Sequence, residues 1–523
     1  MTDAAPDDAR TQERVFAFLS DPEKHPSVRR IDTHAASVFL EGTRALKIKR
    51  AVRFPFLDYS TLQKRKRACD DEIRINRPFA PQIYHRVVPI TQGEDGTLHV
   101  DGSGTPIEYA IEMTRFDERR TIDHLAEAGP LDPALVAAIA DAIAASHVAA
   151  PRMAAQSWIE SVPALIEGNS AALRAHGYFA ADDIDDLEHA SLSAFSQIRG
   201  LLEQRGRQGL VRRCHGDLHL ANIAMSEQRP FLFDAIEFDE KIATTDVLYD
   251  LAFPLMDLLR YDQLTAANDL LNRYLVVSAP ENLDALAALP LLMSIRAAIR
   301  SHVLLARLDR ATAEKSAIAS AASRYFELAR TLIHPQAPVL VAVGGLSGTG
   351  KSVLARMIAP LVAPLPGAVV LRSDLLRKQL FGVNETERLP AAAYQPEVSE
   401  RVYQILERRV RQILVHGHSV VIDAVFARET ERIATEAIAR GLNVRFVGFF
   451  LMTDLTTRQR RIGHRGADAS DATEKVAEVQ ENYDIGRVDW AMIDASGTPE
   501  QTFEQCEARI SMSGHPKPLR PTP

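Results

Sequence analysis

The sequence predicts two domains of different class: an α+β domain in which a strand-rich lobe precedes a helical one, then an α/β domain on a mainly parallel, doubly wound sheet. Three observations carry this. Short apolar runs with β-branched residues crowd the chain up to about residue 115, and helical periodicity dominates from Thr121 onward. A proline-broken seam, Thr331–Pro338, interrupts the helical pattern. Beyond the seam, strands and helices alternate, as a parallel sheet with crossover helices requires.

The elements follow in order. Ala36–Leu40, Ala45–Ile48, Val87–Ile90 and Tyr109–Met113 read as strands, with the charged helix Leu62–Asn76 among them. Two short strands fit within Val211–Asp239, and Leu289–Arg330 is a long helical stretch ending at the seam. We place the domain boundary at about residue 335, so the first domain is 1–335, with its small lobe to about 115, and the second is 336–515. In the second, Val339–Val343, Val369–Leu371, Ser419–Ile422, Val444–Leu451 and Met492–Ile493 are the expected strands, and Ser352–Leu361 the first helix. The Pro-rich tail 516–523 is expected to be disordered.

Composition sets limits. Apolar residues are 46% and charged residues 25% of 523, ordinary for a globular chain. The net charge of −8 argues against a general nucleic-acid or anionic-membrane binder. Cys69, Cys214 and Cys506 are far apart, with no CxxC pair, which argues against a disulfide scaffold or thiolate metal site. The polar, acidic N-terminus has no apolar signal region, and the nearest approach to a spanning segment, Ala134–Ala150, is interrupted by Asp141 and His147. A cytoplasmic protein with no membrane partner is expected.

The sharpest motif is Gly345-Leu346-Ser347-Gly348-Thr349-Gly350-Lys351-Ser352 between an apolar strand and a helix. Glycines let backbone N–H groups converge on phosphate oxygens at a positive helix N-terminus. Lys351 is placed to reach the β- and γ-phosphates, and the Ser352 hydroxyl to ligate Mg²⁺. Asp374 and Asp423 end successive strands, the edge where open α/β sheets bind ligands. Asp423 is the expected support of Mg²⁺, Asp374 the base or orienting group for an acceptor hydroxyl, and Arg377 a partner for negative charge. A helix N-cap is the competing role for each acid. Arg458, Arg460, Arg461 and Arg465 crowd a helix and loop, either as a solvated basic face or as a lid over the transferring phosphoryl group. The following Asp468-Ala-Ser-Asp471-Ala-Thr473 either caps the next helix or contacts substrate.

The first domain carries His215-Gly-Asp217-Leu-His219-Leu-Ala-Asn222, the Asp-to-Asn spacing of a kinase catalytic loop, followed by Phe231-Leu-Phe-Asp234. Asp217 is read as the residue that orients the acceptor hydroxyl, and Asn222 and Asp234 as metal ligands. Lys47 and Lys49 share one face of a strand; Lys47 is preferred for the ATP phosphates, with Glu72 as its acid, against a solvated charge run RKRACDDEIR. This is a bilobal, protein-kinase-like pattern with two departures. No GxGxxG loop precedes Lys47, so the phosphate-covering segment is sought at Thr33–Ser37, and Asp234 is followed by Ala-Ile rather than Phe-Gly.

HGDLHLANI with LFDAIEFD resembles the catalytic and metal segments of aminoglycoside phosphotransferase-like kinases, as does THAASVFLEGTRALKIKRAVRFPFLDYSTLQKR. GGLSGTGKS, LRSDLLRKQLFG, VVIDAVF and the arginine cluster with DASDAT resemble small P-loop kinases of the zeta-toxin, chloramphenicol phosphotransferase and polynucleotide 5′-kinase group. Together they are similar to bacterial two-domain proteins that fuse the two. The resemblance implies ATP and Mg²⁺ at two phosphoryl-transfer sites and leaves the acceptors open. Small-molecule hydroxyl acceptors are expected, because no basic, aromatic-studded stripe for nucleic acid is present. The alternatives are that one half is a regulatory nucleotide-binding module, or that the second domain phosphorylates nucleic-acid 5′ ends.

Overall fold

The computed structural model describes residues 6–54, 57–227, 229–308, 315–464, 466 and 468–511. The tail 516–523 lies outside them. The chain forms two compact units, one from 1–161 with 203–257, the other from 162–202 with 258–523.

In the first unit, a six-stranded antiparallel sheet runs in the order Arg29–Asp32, Ala36–Glu41, Arg44–Lys49, Thr105–Thr114, Tyr84–Gln92, Leu98–Val100. Strand side chains alternate between faces, and here both faces are covered. Phe39, Leu46, Ile48, Val88 and Ile90 pack with Val15, Phe16 and Leu19 of an N-terminal helix, Pro6–Leu19. On the other face Leu40, Ala45, Ile111 and Met113 meet Cys69 of the helix Leu62–Asn76, and Ala224 and Phe231. That helix starts where the Thr61 side chain accepts from Lys64 N, which satisfies one of the unpaired first-turn donors. The helical remainder includes Pro133–Ala149, entered through an Asp132 cap with proline at the first position. Val211–Arg213 pairs with Thr244–Asp246, and Ile223–Ser226 with Arg229–Leu232, so the described residues of 211–239 hold three short strands rather than two, the first of them pairing beyond the stretch.

The second unit is built on a five-stranded sheet in the order Val369–Arg372, Val420–Asp423, Val339–Gly345, Arg445–Met452, Ala491–Asp494, every pairing parallel. All residues of the central strand Val339–Gly345 are buried, the continuous apolar run that covering on both faces demands. Val341 and Val343 pack with Leu354, Ile358, Phe449 and Ile510. The edge strand is finished by side chains of the helix Leu264–Val277: Val370 N donates to Asn272 Oδ1 at 2.7 Å, and Asn268 and Asn272 donate to Ala368 O at 3.0 and 3.1 Å.

The stretch expected at Leu289–Arg330 is two helices, Leu289–Leu308 and Lys315–Ile333, tied by Ser294 Oγ to Ala329 O and Ser301 Oγ to Ala322 O, each 2.9 Å. By length and composition alone, Leu289–Leu308 is the one described helix able to cross a membrane; most of it is buried inside the protein.

Candidate active sites

In the first unit the strand Arg44–Lys49 sends Lys47 and Lys49 to the same side, as alternation requires. The helix Leu62–Asn76 delivers Glu72, fully buried, between them. Lys47 Nζ reaches Glu72 Oε1 at 2.8 Å and Asp234 Oδ1 at 2.6 Å. Lys49 Nζ takes the other Glu72 oxygen and lies 2.5 Å from Glu237 Oε1, which also accepts from Tyr59 OH at 3.1 Å. Glu72 is therefore no solvated charge, and only Lys47 of the two lysines also touches Asp234. Burial alone would lower the Lys47 pKa, but the charges of Asp234 and Glu72 outweigh it and hold the ammonium well above its ordinary value. Asp234 is lowered for the converse reason: burial raises it, and Lys47 overrides burial.

Asp234 has φ of 61°, in the left-handed region that Asp tolerates better than most residues. Its neighbour Ala235 is held at both backbone groups by the Asn76 amide, N to Oδ1 at 2.6 Å and Nδ2 to O at 3.0 Å. Asp234 N donates to Tyr84 OH at 3.1 Å. These bonds fix the turn where Ala-Ile replaces Phe-Gly.

The His215–Asn222 loop is braced from behind by Asp250, whose carboxylate accepts from His215 N at 3.2 Å, Gly216 N at 2.9 Å and the His147 ring at 3.2 Å. Gly216 has φ of 85°, a left-handed conformation that favours glycine, and a Cβ there would press to 3.2 Å from Ala243 Cα. Asn222 Nδ2 donates to Asp217 O at 2.8 Å and faces its Oδ2 at 3.4 Å, which leaves the amide oxygen as the cation donor. The Asp217 charge opposes ionisation of Asp234, so the two carboxylates share one electrostatic site. Asn222 and Asp234 supply hard oxygen atoms, the donor set that suits Mg²⁺. His215 Nε2 bonds Phe233 O at 2.9 Å, a structural use of that ring. His147, Cys214 and Asp250 form a buried cluster with ligand-type atoms, but Asp250 is already committed to the loop backbone. The Thr33–Ser37 segment is a tight turn closed by Thr33 N to Ala36 O at 2.8 Å, and Ala36 stands level with Lys49 of the next strand.

In the second unit, Gly345–Ser352 curls between the central strand and the helix Lys351–Ile358. Gly345, Gly348 and Gly350 have φ of 135°, 87° and 95°. At Gly348 a Cβ would fall 2.7 Å from Arg458 O, so glycine is required there. Lys351 Nζ lies 3.0 Å from Leu346 O, folded back along the loop, and Thr349 Oγ1 donates to Leu346 O at 2.8 Å. Ser352 Oγ donates to Asp423 Oδ2 at 2.6 Å, bringing together the hydroxyl and carboxylate that fit Mg²⁺ by the same hard-donor argument. Ser347 N donates to Gln480 Oε1 at 2.8 Å.

Ser347–Ser352, Asp374, Arg377, Asp423 and Arg461 line one cleft of about 1360 Å³. Asp374 lies in the first turn of the helix Ser373–Phe381, whose cap is Arg372, so capping does not account for it. Burial first and then the Asp423 charge raise its pKa, against Lys351. Arg377 donates to Ala393 O at 2.6 Å and sits 5.0 Å over the Tyr394 ring.

The arginines separate. Arg458, expected on a lid, is buried beneath the loop: Nε donates to Ser347 O at 2.8 Å, Nη2 to Ala477 O at 3.1 Å, and the group pairs with Glu481. It is absent from the cleft lining because the loop backbone takes its donors. Arg461 donates to Gly497 O at 2.8 Å and reaches Thr349 O at 3.5 Å. Arg465 lies outside the described residues. Thr473, not either acid, caps the helix Glu474–Gln480. Asp468 instead pairs with Arg372, and Asp471 with Lys378 and Tyr394 OH.

Glu237, Asp250, Arg372 and Gln480 escaped sequence reading, and Lys49, weighed there against Lys47, bonds Glu72 and Glu237. For Arg372 a signal existed: parallel register sets the last residue of one strand level with Asp423 of the next.

Residues 30–289 match the profile of the phosphotransferase enzyme family, and 340–483 that of an AAA domain. Uncharacterized proteins of Mycobacterium tuberculosis and Mycobacterium bovis are each 30% identical over 490 residues, covering 91% of this chain and 93% of theirs. Among solved structures, an amicoumacin kinase bound to AMP-PNP and Ca²⁺ aligns over 61% of this chain and 92% of its own, at 16% identity and a TM-score of 0.38. A gluconokinase from Sinorhizobium meliloti aligns over 34% and 94%, at 18% identity and a TM-score of 0.25.

Proposed function

The chain belongs to the two-domain family of its mycobacterial relatives, a phosphotransferase enzyme domain joined to a P-loop kinase domain, and on that premise we propose an ATP- and Mg²⁺-dependent phosphotransferase with two sites acting on small-molecule hydroxyl groups. The observation that carries the proposal is the pairing, within each unit, of phosphate-seeking lysine, oxygen donors for a cation, and a separate carboxylate for the acceptor.

In the first site Lys47, steadied by Glu72, binds the ATP phosphates, and Asp217 receives the acceptor proton as the acceptor oxygen bonds to the γ-phosphorus and the bond to ADP breaks. Asn222 and Asp234 hold the metal. In the second, the loop amides and Lys351 grip the phosphates, Ser352 and Asp423 hold the metal, and Asp374 orients the acceptor. Arg377 and Arg461 face the same cleft and supply positive charge. When bound, Mg²⁺ neutralises charge developing between the β- and γ-phosphates. Catalysis in both is positioning and electrostatic stabilisation.

The test is a screen of metabolite extract with labelled ATP on the full chain, repeated with Asp217→Asn and Lys351→Ala. Each labelled product should vanish in one variant and persist in the other, with rate losses of about 10²-fold or more. Products untouched by either substitution refute the site assignments, and loss of every product with the same variant restricts chemistry to that unit.

A further inference from the structure

Asp423 Oδ2 is a shared atom. It accepts from Ser352 Oγ at 2.6 Å and from Arg372 Nε at 3.2 Å. Its Nη2 reaches Ser352 Oγ at 3.3 Å and both Asp468 oxygens, Oδ1 at 2.9 Å and Oδ2 at 3.1 Å. The single Nε–Nη2 edge of Arg372 thus spans the metal-type donors and the segment 468–473. That segment lines the cleft, and its Ser470 side chain is bonded to Asp374. It is also pinned through Asp471, which accepts from Lys378 Nζ at 2.8 Å, Leu389 N at 3.0 Å and Tyr394 OH at 2.6 Å.

A guanidinium and a divalent cation repel, and both seek the same carboxylate oxygen. We propose that Arg372 is a positioning residue coupling magnesium at Ser352 and Asp423 to the segment 468–473. Metal binding displaces Arg372 from Asp423, commits its guanidinium to Asp468, and so fixes Ser470 against Asp374. The inference rests on reading the second site as one for Mg-ATP. The guanidinium is essential to it, because its rigid plane sets Nε on Asp423 and Nη2 on Asp468 at once, whereas a lysine ammonium keeps the repulsion without that pair of fixed donors.

The experiment uses full-length protein with Mn²⁺ as the probe, its binding followed by electron paramagnetic resonance and the segment 468–473 by amide hydrogen exchange. In the unsubstituted protein Mn²⁺ should slow exchange there. Arg372→Gln should bind Mn²⁺ about tenfold tighter, the scale of one close charge interaction, while the exchange response disappears. Asp468→Asn, which leaves the guanidinium on Asp423, should bind Mn²⁺ more weakly and lose the response as well. Arg372→Lys should lose the response without the gain in affinity. Unchanged Mn²⁺ affinity in Arg372→Gln, or a full exchange response there, overturns the proposal. If Arg372→Gln does not fold, Asp468→Asn decides it by the same two readouts. The underlying reading is judged apart: Lys351→Ala should remove one of the two ATP-binding events, and if both persist, the nucleotide assignment of the second site falls while the Mn²⁺ results still judge the coupling.

Discussion

His418 is buried, with Nε2 2.9 Å from Gly367 O and Nδ1 without a hydrogen-bond partner. Burial pushes its pKa down from 6.5 to about 4. In the unfolded chain it takes a proton near its ordinary value, so the unfolded state binds more protons between those limits and stability falls as pH drops through them. From this residue alone we expect a loss of about 2 kcal/mol between pH 7 and pH 5, absent in His418→Gln, measured by urea unfolding at both pH values. A parallel pH dependence in the variant would contradict it. At this scale the sequence was informative where a residue's chemistry is encoded by its neighbours. Asp217, Asn222, Asp234 and Lys351 sit in spaced motifs, and the structure brings Asn222 to Asp217, Asp234 to Lys47, and Lys351 into one cleft with Asp423. Asp250 was invisible, because it acts on backbone N–H groups contributed by a distant stretch. Arg458 misled, since an arginine-rich helix gives no sign of which guanidinium turns inward to bind the loop.

Among elements, the strand Val369–Arg372 shows what packing adds. Its run of apolar residues announces a strand, but nothing in it announces that two asparagines will supply the hydrogen bonds a neighbouring strand would have made. Asn272→Leu removes the acceptor of Val370 N and one donor to Ala368 O, and leaves those groups unpaired. The expected loss is about 1–3 kcal/mol, read as a lower urea midpoint; a midpoint unchanged from the unsubstituted protein would show that the pair contributes nothing. The N-terminal helix is the opposite case. Val15, Phe16 and Leu19 carry a short apolar stripe that packs on one face of the first sheet, yet the N-terminus in which they lie reads as merely polar and acidic. The five strands of the second unit were legible in place and order of appearance, whereas their sideways order depends on crossovers that local periodicity does not encode.

For the whole molecule, two sites of separate construction predict two ATP-binding events per chain by calorimetry, falling to one in Lys351→Ala. A single event in the unsubstituted protein would refute the double assignment. The seam at Thr331–Pro338 also makes a concrete expectation about folding. A fragment opening at residue 336 lacks the helix Leu264–Val277 and exposes a strand edge, so it should aggregate where the full chain does not. A monodisperse fragment with a cooperative melt would contradict this. The change of pattern at the seam was readable as a break in helical periodicity, but the compact unit reaches back across it to residues 258–335 and 162–202.

The asparagine pair on Leu264–Val277 has a bearing on ancestry. A genetic crossover at the proline seam would hand a descendant the phosphate-gripping half without the helix that completes its sheet, so viable recombinants must carry that helix along. The heritable block is therefore longer than the nucleotide motif it serves, and residues 264–277 should track the trailing half when relatives exchange parts.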